Sequence, residues 1–339
     1  MGVTMADIAK RAGVSTVTVS RALNDKPDIS KETKAHILAI ARELNYAPNV
    51  HARALATGDS KTLGLIVADS ANPYYAKLVR GVEDTASAHG YGVILCNTSE
   101  DQERELRAHQ MLLEKRVDGM LITSIQVGSV PLYRLVREDV PFVLLNRYLE
   151  DIETDYVIND NRLGAYEATA HLCQLGHRHI AHLTGSQQIS SVRERLAGYR
   201  QALEECDIPF DPTLVIRCGL FLEGAYQQAK AVVRTFSPPP TAVFAYSDLL
   251  AIGVLKALRE VGLKVPQDLA LVSYDDIEFA AFVEPPLTTV AQSAYEIGQQ
   301  GTEILLDKIQ WPEEEEWELR RVVLQPELKV RASCGSLLR

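Results

Sequence analysis

Apolar residues recur at helical spacing through the first 45 residues and in strand-like runs thereafter. In the opening segment Ile8, Ala9 and Ala12 share one face of a helix that starts after Thr4, and Thr4 with Asp7 forms a capping-box pattern. Gly13 breaks this helix. Ser15 is a good N-cap for a second helix, about Thr16 to Leu23. Asn24-Asp25-Lys26-Pro27 predicts a turn. Ser30 caps a third helix through Leu44, with Ile37, Leu38, Ala41 and Leu44 inward. Tyr46-Ala47-Pro48 stops it, and Asn49 to Ala56 predicts one more short helix before a Gly58-Asp59-Ser60-Lys61 linker.

From Thr62 the period changes. Leu63 to Val67 reads as a buried strand, followed by a helix (Tyr75 to His89), a strand (Tyr91 to Cys96), helix 101–115, strand 117–122, helix 129–138 and strand 141–146. A second series runs from helix Ala165–Leu175 through strand 179–183, helix 192–205, strand 213–217, helix 223–236, strand 241–246 and helix 248–261 to strand 268–274. Strands alternating with helices predict parallel sheets covered on both faces, here two doubly wound parallel-sheet lobes. After Thr288 come a helix (Ala294 to Ile309), the acidic run Glu313–Glu316, a strand (Leu319 to Leu324) and a short tail. The late helix is expected to cross back to the first lobe. The expected divisions are 1–48, 49–61 and 62–339, with the first lobe about 62–161 and 292–318 and the second about 162–291 and 319–339.

Composition suits a soluble globular chain: 339 residues, 46% hydrophobic and 24% charged. No stretch approaches the ~20 apolar residues that span a bilayer, and the N-terminus lacks the apolar core of a secretory signal. Five scattered cysteines predict reduced thiols in the cytoplasm. The net charge of −10 argues against nucleic acid only if it is spread evenly. Residues 1–61 hold nine Lys+Arg against six Asp+Glu, a net +3, which leaves −13 on the remainder. A small anion-binding module on a larger acidic body follows.

Met5–Leu23, MADIAKRAGVSTVTVSRAL, has the layout of a helix-turn-helix. Gly13 permits the tight turn, Ala9 lets the helices approach, and Val14, Val19 and Leu23 plug a small core. The second helix then offers Thr16, Val17, Ser20 and Arg21 outward. A recognition helix reads base edges with its N-terminal side chains; Arg21 suits guanine O6/N7 and Val17 a thymine methyl. An ordinary helical hairpin is the plain alternative, outweighed because turn, caps and outward residues agree.

These residues resemble the LacI/GalR family of bacterial transcription regulators, and the resemblance covers nearly the whole chain. The helix-turn-helix is that family's signature, and Tyr46-Ala-Pro48 with Asn49–Leu55 resembles its hinge helix. Leu63-Gly-Leu-Ile-Val, Asn72-Pro-Tyr-Tyr75, Lys115-Arg-Val-Asp-Gly119, Gly176-His-Arg178, Arg195-Leu-Ala-Gly-Tyr199, Ser273-Tyr-Asp275 and Pro286-Leu-Thr-Thr289 resemble its sensor domain, in order. The resemblance implies a small all-α helix-turn-helix domain followed by an α/β, periplasmic-binding-protein-like sensor. It implies a cytoplasmic homodimer, most simply a repressor, on a pseudo-palindromic double-stranded operator, switched by a small molecule, with no membrane partner and no cofactor. Implied DNA contacts are Thr4, Ser15, Thr16, Val17, Ser20, Arg21 and Asn24 in the headpiece and Asn49, His51, Arg53 and Leu55 in the hinge, Leu55 as a minor-groove wedge. The chain ends without the leucine-repeat tail of tetrameric members, so a dimer is expected.

Ligands of open α/β sheets bind beyond the carboxyl ends of the strands. The candidate liners are Asp69, Tyr74, Tyr75, Asn146, Arg147, Asp160, Arg195, Phe221, Asp275 and Gln292, with Ser70, Ser247 and Asp248 beside them. Arg195 and Asp275 are the expected polar anchors, and Tyr74, Tyr75 and Phe221 the apolar walls. Asp248 reads better as a helix N-cap, and Asp160-Asn161 equally as turn chemistry. Arg195 with Asp275 and Asn146 suits a polyhydroxylated ligand and Arg147 an acid group, so a sugar or sugar acid is the expected effector, with a purine the alternative given Phe221 and the tyrosines. A solute receptor without DNA function and a helix-turn-helix fused to an enzyme are the competing classes; the first lacks a signal peptide and the second any catalytic motif. Cys173, His177, His179 and His182 are metal-like in composition only, because the strand faces His179 and His182 differently.

Overall fold

A computed structural model describes residues 3–23, 28–44, 46, 59–123, 130–235, 238–312 and 314–336. The chain forms two units, Met1–Ser60 and Lys61–Arg339.

The first unit contains α1 (Met5–Ala12), α2 (Thr16–Leu23) and α3 (Lys31–Glu43). Thr4 and Asp7 exchange a capping box: Asp7 N donates to Thr4 Oγ1 at 3.3 Å, and Thr4 N to Asp7 Oδ2 at 2.8 Å. Gly13 closes α1 at φ +68, where a side chain would be strained. Ser15 and Ser30 accept from Thr18 N and Thr33 N, each at 3.1 Å, and so start α2 and α3. Ile8, Ala9, Val19, Ala22, Ile37, Ile40 and Ala41 fill the core, with Val14, Leu23 and Leu44 packed at its margin. Ile40 rather than Leu38 completes the buried stripe of α3; Leu38 is half-buried. Each fully buried aliphatic side chain here contributes about 1.5–3 kcal/mol.

The second unit holds two six-stranded sheets. The first orders its strands β11-β5-β4-β3-β1-β2 and is wholly parallel. It uses β1 (Thr62–Val67), β2 (Gly92–Asn97), β3 (Gly119–Ile122), β4 (Phe142–Leu145), β5 (Asp155–Asn159) and β11 (Arg321–Leu324). The second orders β12-β10-β9-β8-β6-β7, with β6 (Ile180–Thr184), β7 (Val215–Arg217), β8 (Ala242–Ala245), β9 (Ala270–Asp275) and β10 (Thr288–Ala291) parallel and β12 (Glu327–Lys329) antiparallel. The connecting helices are α4 (Pro73–Ala88), α5 (Gln102–Glu114) and α6 (Val130–Arg137) in the first lobe, and α7 (Asn161–Gln174), α8 (Ser190–Glu205), α9 (Leu222–Thr235) and α10 (Asp248–Glu260) in the second. α11 (Ala294–Gln310) returns to pack on α4. That contact is close: a Cβ on Gly298 would sit 2.2 Å from Leu78 O, and one on Gly81 2.1 Å from Tyr295 O.

Three features depart from the sequence expectation. β5, β10 and β12 were not anticipated; at five, four and three residues they are too short for a clear period. α7 starts at Asn161, four residues early, because Asp160 caps it by accepting from Leu163 N at 2.8 Å. The strand over 319–324 belongs to the first lobe, not the second. Asp155, fully buried at the start of β5, takes Lys308 Nζ at 2.6 Å, Trp317 Nε1 at 2.9 Å and Arg320 N at 2.8 Å. This clamp delivers β11 alongside β5, so the chain crosses between lobes three times, after β5, β10 and β11.

Candidate functional site

In the first unit α2 turns Thr16 and Arg21 to solvent, and Val17 is 60% exposed although apolar. Arg21 Nη1 lies 2.8 Å from Asp28 Oδ2, in an ion pair whose two side chains are both about half exposed. Ser20 is half-buried. Thr4 and Ser15 spend their hydroxyls on caps, so they order the helices whose ends they occupy. Asn24, Asn49, His51, Arg53 and Leu55, with the hinge helix, lie outside the described residues.

The second site is built by strand ends. In each sheet the order 2-1-3 places a topological switch beside the first strand, where loops diverge and leave a crevice. β1 leads to Asp69, Asn72, Tyr74 and Tyr75, the last two inside the first turns of α4, which Asn72 caps by accepting from Tyr74 N at 3.0 Å. β2 leads to Glu100, and β4 to Asn146 and Arg147. From the second lobe come Arg195 on α8, Leu220 and Phe221 after β7, Tyr246 and Ser247 after β8, Asp275 at the end of β9 and Gln292 after β10. These residues line one cavity, at the place where open α/β sheets bind their ligands.

Nine of the ten expected liners meet there; Asp160 does not, being the cap of α7. Ser70 is also off the wall. Asp248 is neither liner nor cap. Ser247 caps α10, while the buried Asp248 carboxylate accepts from the Ser273 hydroxyl, from Thr289 Oγ1 at 2.7 Å and from Ile277 N at 2.8 Å. Burial pushes it up to about 6. Sequence reasoning missed Asn72, Glu100, Leu220 and Tyr246 as liners. Tyr246 was findable, since it follows a strand end directly; Glu100, three residues past β2, was not.

Arg195 is 1% exposed. Its Nε donates to Asn161 Oδ1 at 2.9 Å and its Nη1 to Tyr246 O, while Asp275 Oδ1 lies 3.8 Å away. Its guanidinium sits over the rings of Tyr246 and Tyr274, 4.2 and 3.6 Å from their centroids. Asp275 accepts from Gln292 Nε2 at 2.6 Å, and Gln292 Oε1 accepts from Asn159 Nδ2 at 2.9 Å. Burial pushes the Asp275 carboxyl up to about 8, with Arg195 opposing. Tyr74 donates to Asn146 Oδ1 at 2.7 Å.

The histidines of the second lobe do not converge. His177 faces Thr241 Oγ1 at 3.1 Å and His179 faces Pro239 O at 3.0 Å. His182 faces Phe244 O at 3.0 Å, stacked between Phe244 and Tyr199.

Residues 4–49 match the bacterial regulatory proteins of the lacI family, and residues 169–334 match a periplasmic binding protein-like domain. The chain is 35% identical to the HTH-type transcriptional repressor PurR of Haemophilus influenzae over 99% of both chains. Among solved structures it is similar to a transcriptional regulator CelR–cellobiose complex (TM-score 0.75, 33% identity, 98% of this chain and 99% of that one). It is also similar to the lac repressor dimer bound to operator and the anti-inducer ONPF (TM-score 0.86, 29% identity, 98% and 99%). The helix-turn-helix, the paired doubly wound lobes and the cavity between them therefore have one reading: the chain belongs to the LacI family of DNA-binding transcriptional regulators with a ligand-sensing domain.

Proposed function

We propose that the protein is a homodimeric cytoplasmic repressor whose operator affinity is set by a sugar-like effector bound between the lobes. The observation that carries this is the cavity wall. Aromatic rings (Tyr74, Tyr75, Phe221, Tyr246) alternate with paired polar groups (Asp275–Gln292, Asn146–Tyr74), the combination that grips a ring carrying hydroxyls. The related CelR structure holds cellobiose.

The DNA side rests on α2. Two such helices, one per subunit, would enter successive major grooves of a pseudo-palindrome, and Leu55 is assigned the minor-groove wedge by resemblance. Effector and operator affinities must couple reciprocally.

Thermal shift against sugars, sugar acids and purine bases tests the effector class, because a ligand at 100 times its Kd adds about 2.7 kcal/mol of stability. Stabilisation by unrelated metabolites alone defeats the reading. Gel shift on a palindromic operator at stated salt tests the DNA side; affinity independent of salt counts against it. A purine is the second reading, favoured by Phe221, 45% exposed at the cavity and free to stack on a base.

A further inference from the structure

The two lobes place one arginine each on the cavity wall, and the two are not equivalent. Arg195 is tied into the second lobe by Asn161, Tyr246 and Tyr274. Arg147, after β4, has 2% of its side chain exposed and meets Glu100, after β2, in a two-pronged pair: Nη2 to Oε1 at 2.6 Å and Nη1 to Oε2 at 3.2 Å. Glu100 is itself only 13% exposed. The end of the guanidinium that would take a carboxylate or phosphate in two-pronged fashion is thus already occupied, and the arginine's charge is matched. Its Nε is buried and has no hydrogen-bond partner among the described residues. With Asp69 and Glu100 on the wall against Arg147 and Arg195, the ligand space carries no surplus of basic side chains.

We infer that Glu100 is a specificity-determining residue: by pairing with both terminal nitrogens of Arg147 it matches that arginine's charge and occupies the edge it would turn to an anion, so the cavity selects a neutral hydroxyl-bearing ligand and rejects its carboxylate analogue. This rests on the sugar reading above and narrows it. A sugar hydroxyl needs no counter-charge and can exchange hydrogen bonds with a neutralised pair. A carboxylate in the same place finds the arginine's charge already matched and faces the Glu100 charge.

The test compares neutral and acidic partners that share a ring: D-glucose with D-glucuronate, and D-galactose with D-galacturonate, with D-ribose and D-ribonate as a third pair. Calorimetry and thermal shift on the full-length protein measure each pair against wild type, Glu100→Gln and Glu100→Asp. Wild type is expected to favour the neutral member by ~10-fold or more, the scale of one hydrogen bond to a charged group. Glu100→Gln frees the fork and should move the preference toward the acid by ~10–100-fold. Glu100→Asp retains the charge and should retain the neutral preference, which a merely structural role for Glu100 would not require. Wild type that binds the acid as well as the neutral sugar overturns the inference, as does a folded Glu100→Gln protein with an unmoved ratio. If no member of any pair stabilises any of the three proteins, the sugar reading itself falls and takes this inference with it.

Discussion

The Arg195 guanidinium lies 3.6 Å from the ring centroid of Tyr274, one strand position before Asp275, so the same turn of chain supplies both the stacking face and the carboxylate beside it. The charge is buried, but its donors are spread over Asn161, Tyr246 and Asp275, which belong to three different elements. Arg195→Lys keeps the charge and loses the fork and the stacking plane. It should abolish effector stabilisation and, because breaking a buried charged network costs about 3–5 kcal/mol when one partner goes, lower the urea midpoint of the second unit. Unchanged effector response in a folded variant would remove Arg195 from the site.

The buried carboxylate gives a pH dependence whose sign is fixed. Asp275 is held near 8 in the folded protein, above the ~3.9 of an unfolded chain, so the native state binds more protons across that interval and stability falls as pH rises through it. Asp248, near 6, acts in the same sense over the lower part. His109 and His182, pulled down to about 4 by burial against ~6.5 unfolded, act oppositely between those values. The two effects oppose each other below pH 6.5. From 6.5 to 8 the Asp275 decline meets the opposite contribution of Cys334, whose thiol, raised by burial but lowered further by hydrogen bonds with His171 and Ser336, is held at about 6 against ~8.5 unfolded. Asp275→Asn should therefore turn the slope of stability against pH upward over that window, relative to wild type, in urea titrations of the ligand-free protein. The same slope in both proteins would contradict the assignment.

On α2, Val17 exposes an apolar side chain one helical turn before Arg21, which pairs with Asp28. Arg21→Ala should cost about 1–3 kcal/mol of operator binding and relax discrimination at one base-pair position, whereas loss of a phosphate contact would weaken all sequences alike. Competition gel shifts over single-substitution operators distinguish the two.

In the headpiece, Thr4→Ala removes the hydroxyl half of the capping box, leaves the bond from the residue 4 backbone N–H to Asp7 Oδ2, and should cost about 1 kcal/mol of that unit's stability. Circular dichroism of the helical headpiece transition would register it, with the sensor transition unmoved.

Gly298→Ala drives a Cβ to 2.2 Å from Leu78 O, a backbone atom that cannot step aside. Separation of α4 from α11 should cost about 1–3 kcal/mol or more. A wild-type melting temperature would show that the helices repack freely.

Much of this chain is local and therefore legible from its sequence. Capping residues Thr4, Ser15 and Ser30 act within three residues of themselves, and Gly13 acts on its own dihedral, so the helix-turn-helix can be read without a partner segment. The long alternation of buried strands and amphipathic helices likewise specifies parallel layers, and the strand-end rule together with family resemblance brings most of the cavity residues into view. Tertiary structure decided what depends on partners distant in sequence. β11 joins the first lobe because Asp155, buried far upstream, binds the segment that leads to it. Asp160 leaves the cavity because the helix it caps begins there. Arg147 reads as a receptor for acids until Glu100, 47 residues earlier, closes on its fork. A side chain's type and spacing report the hydrogen bonds it is able to make, and only the packed fold determines which of them are already taken.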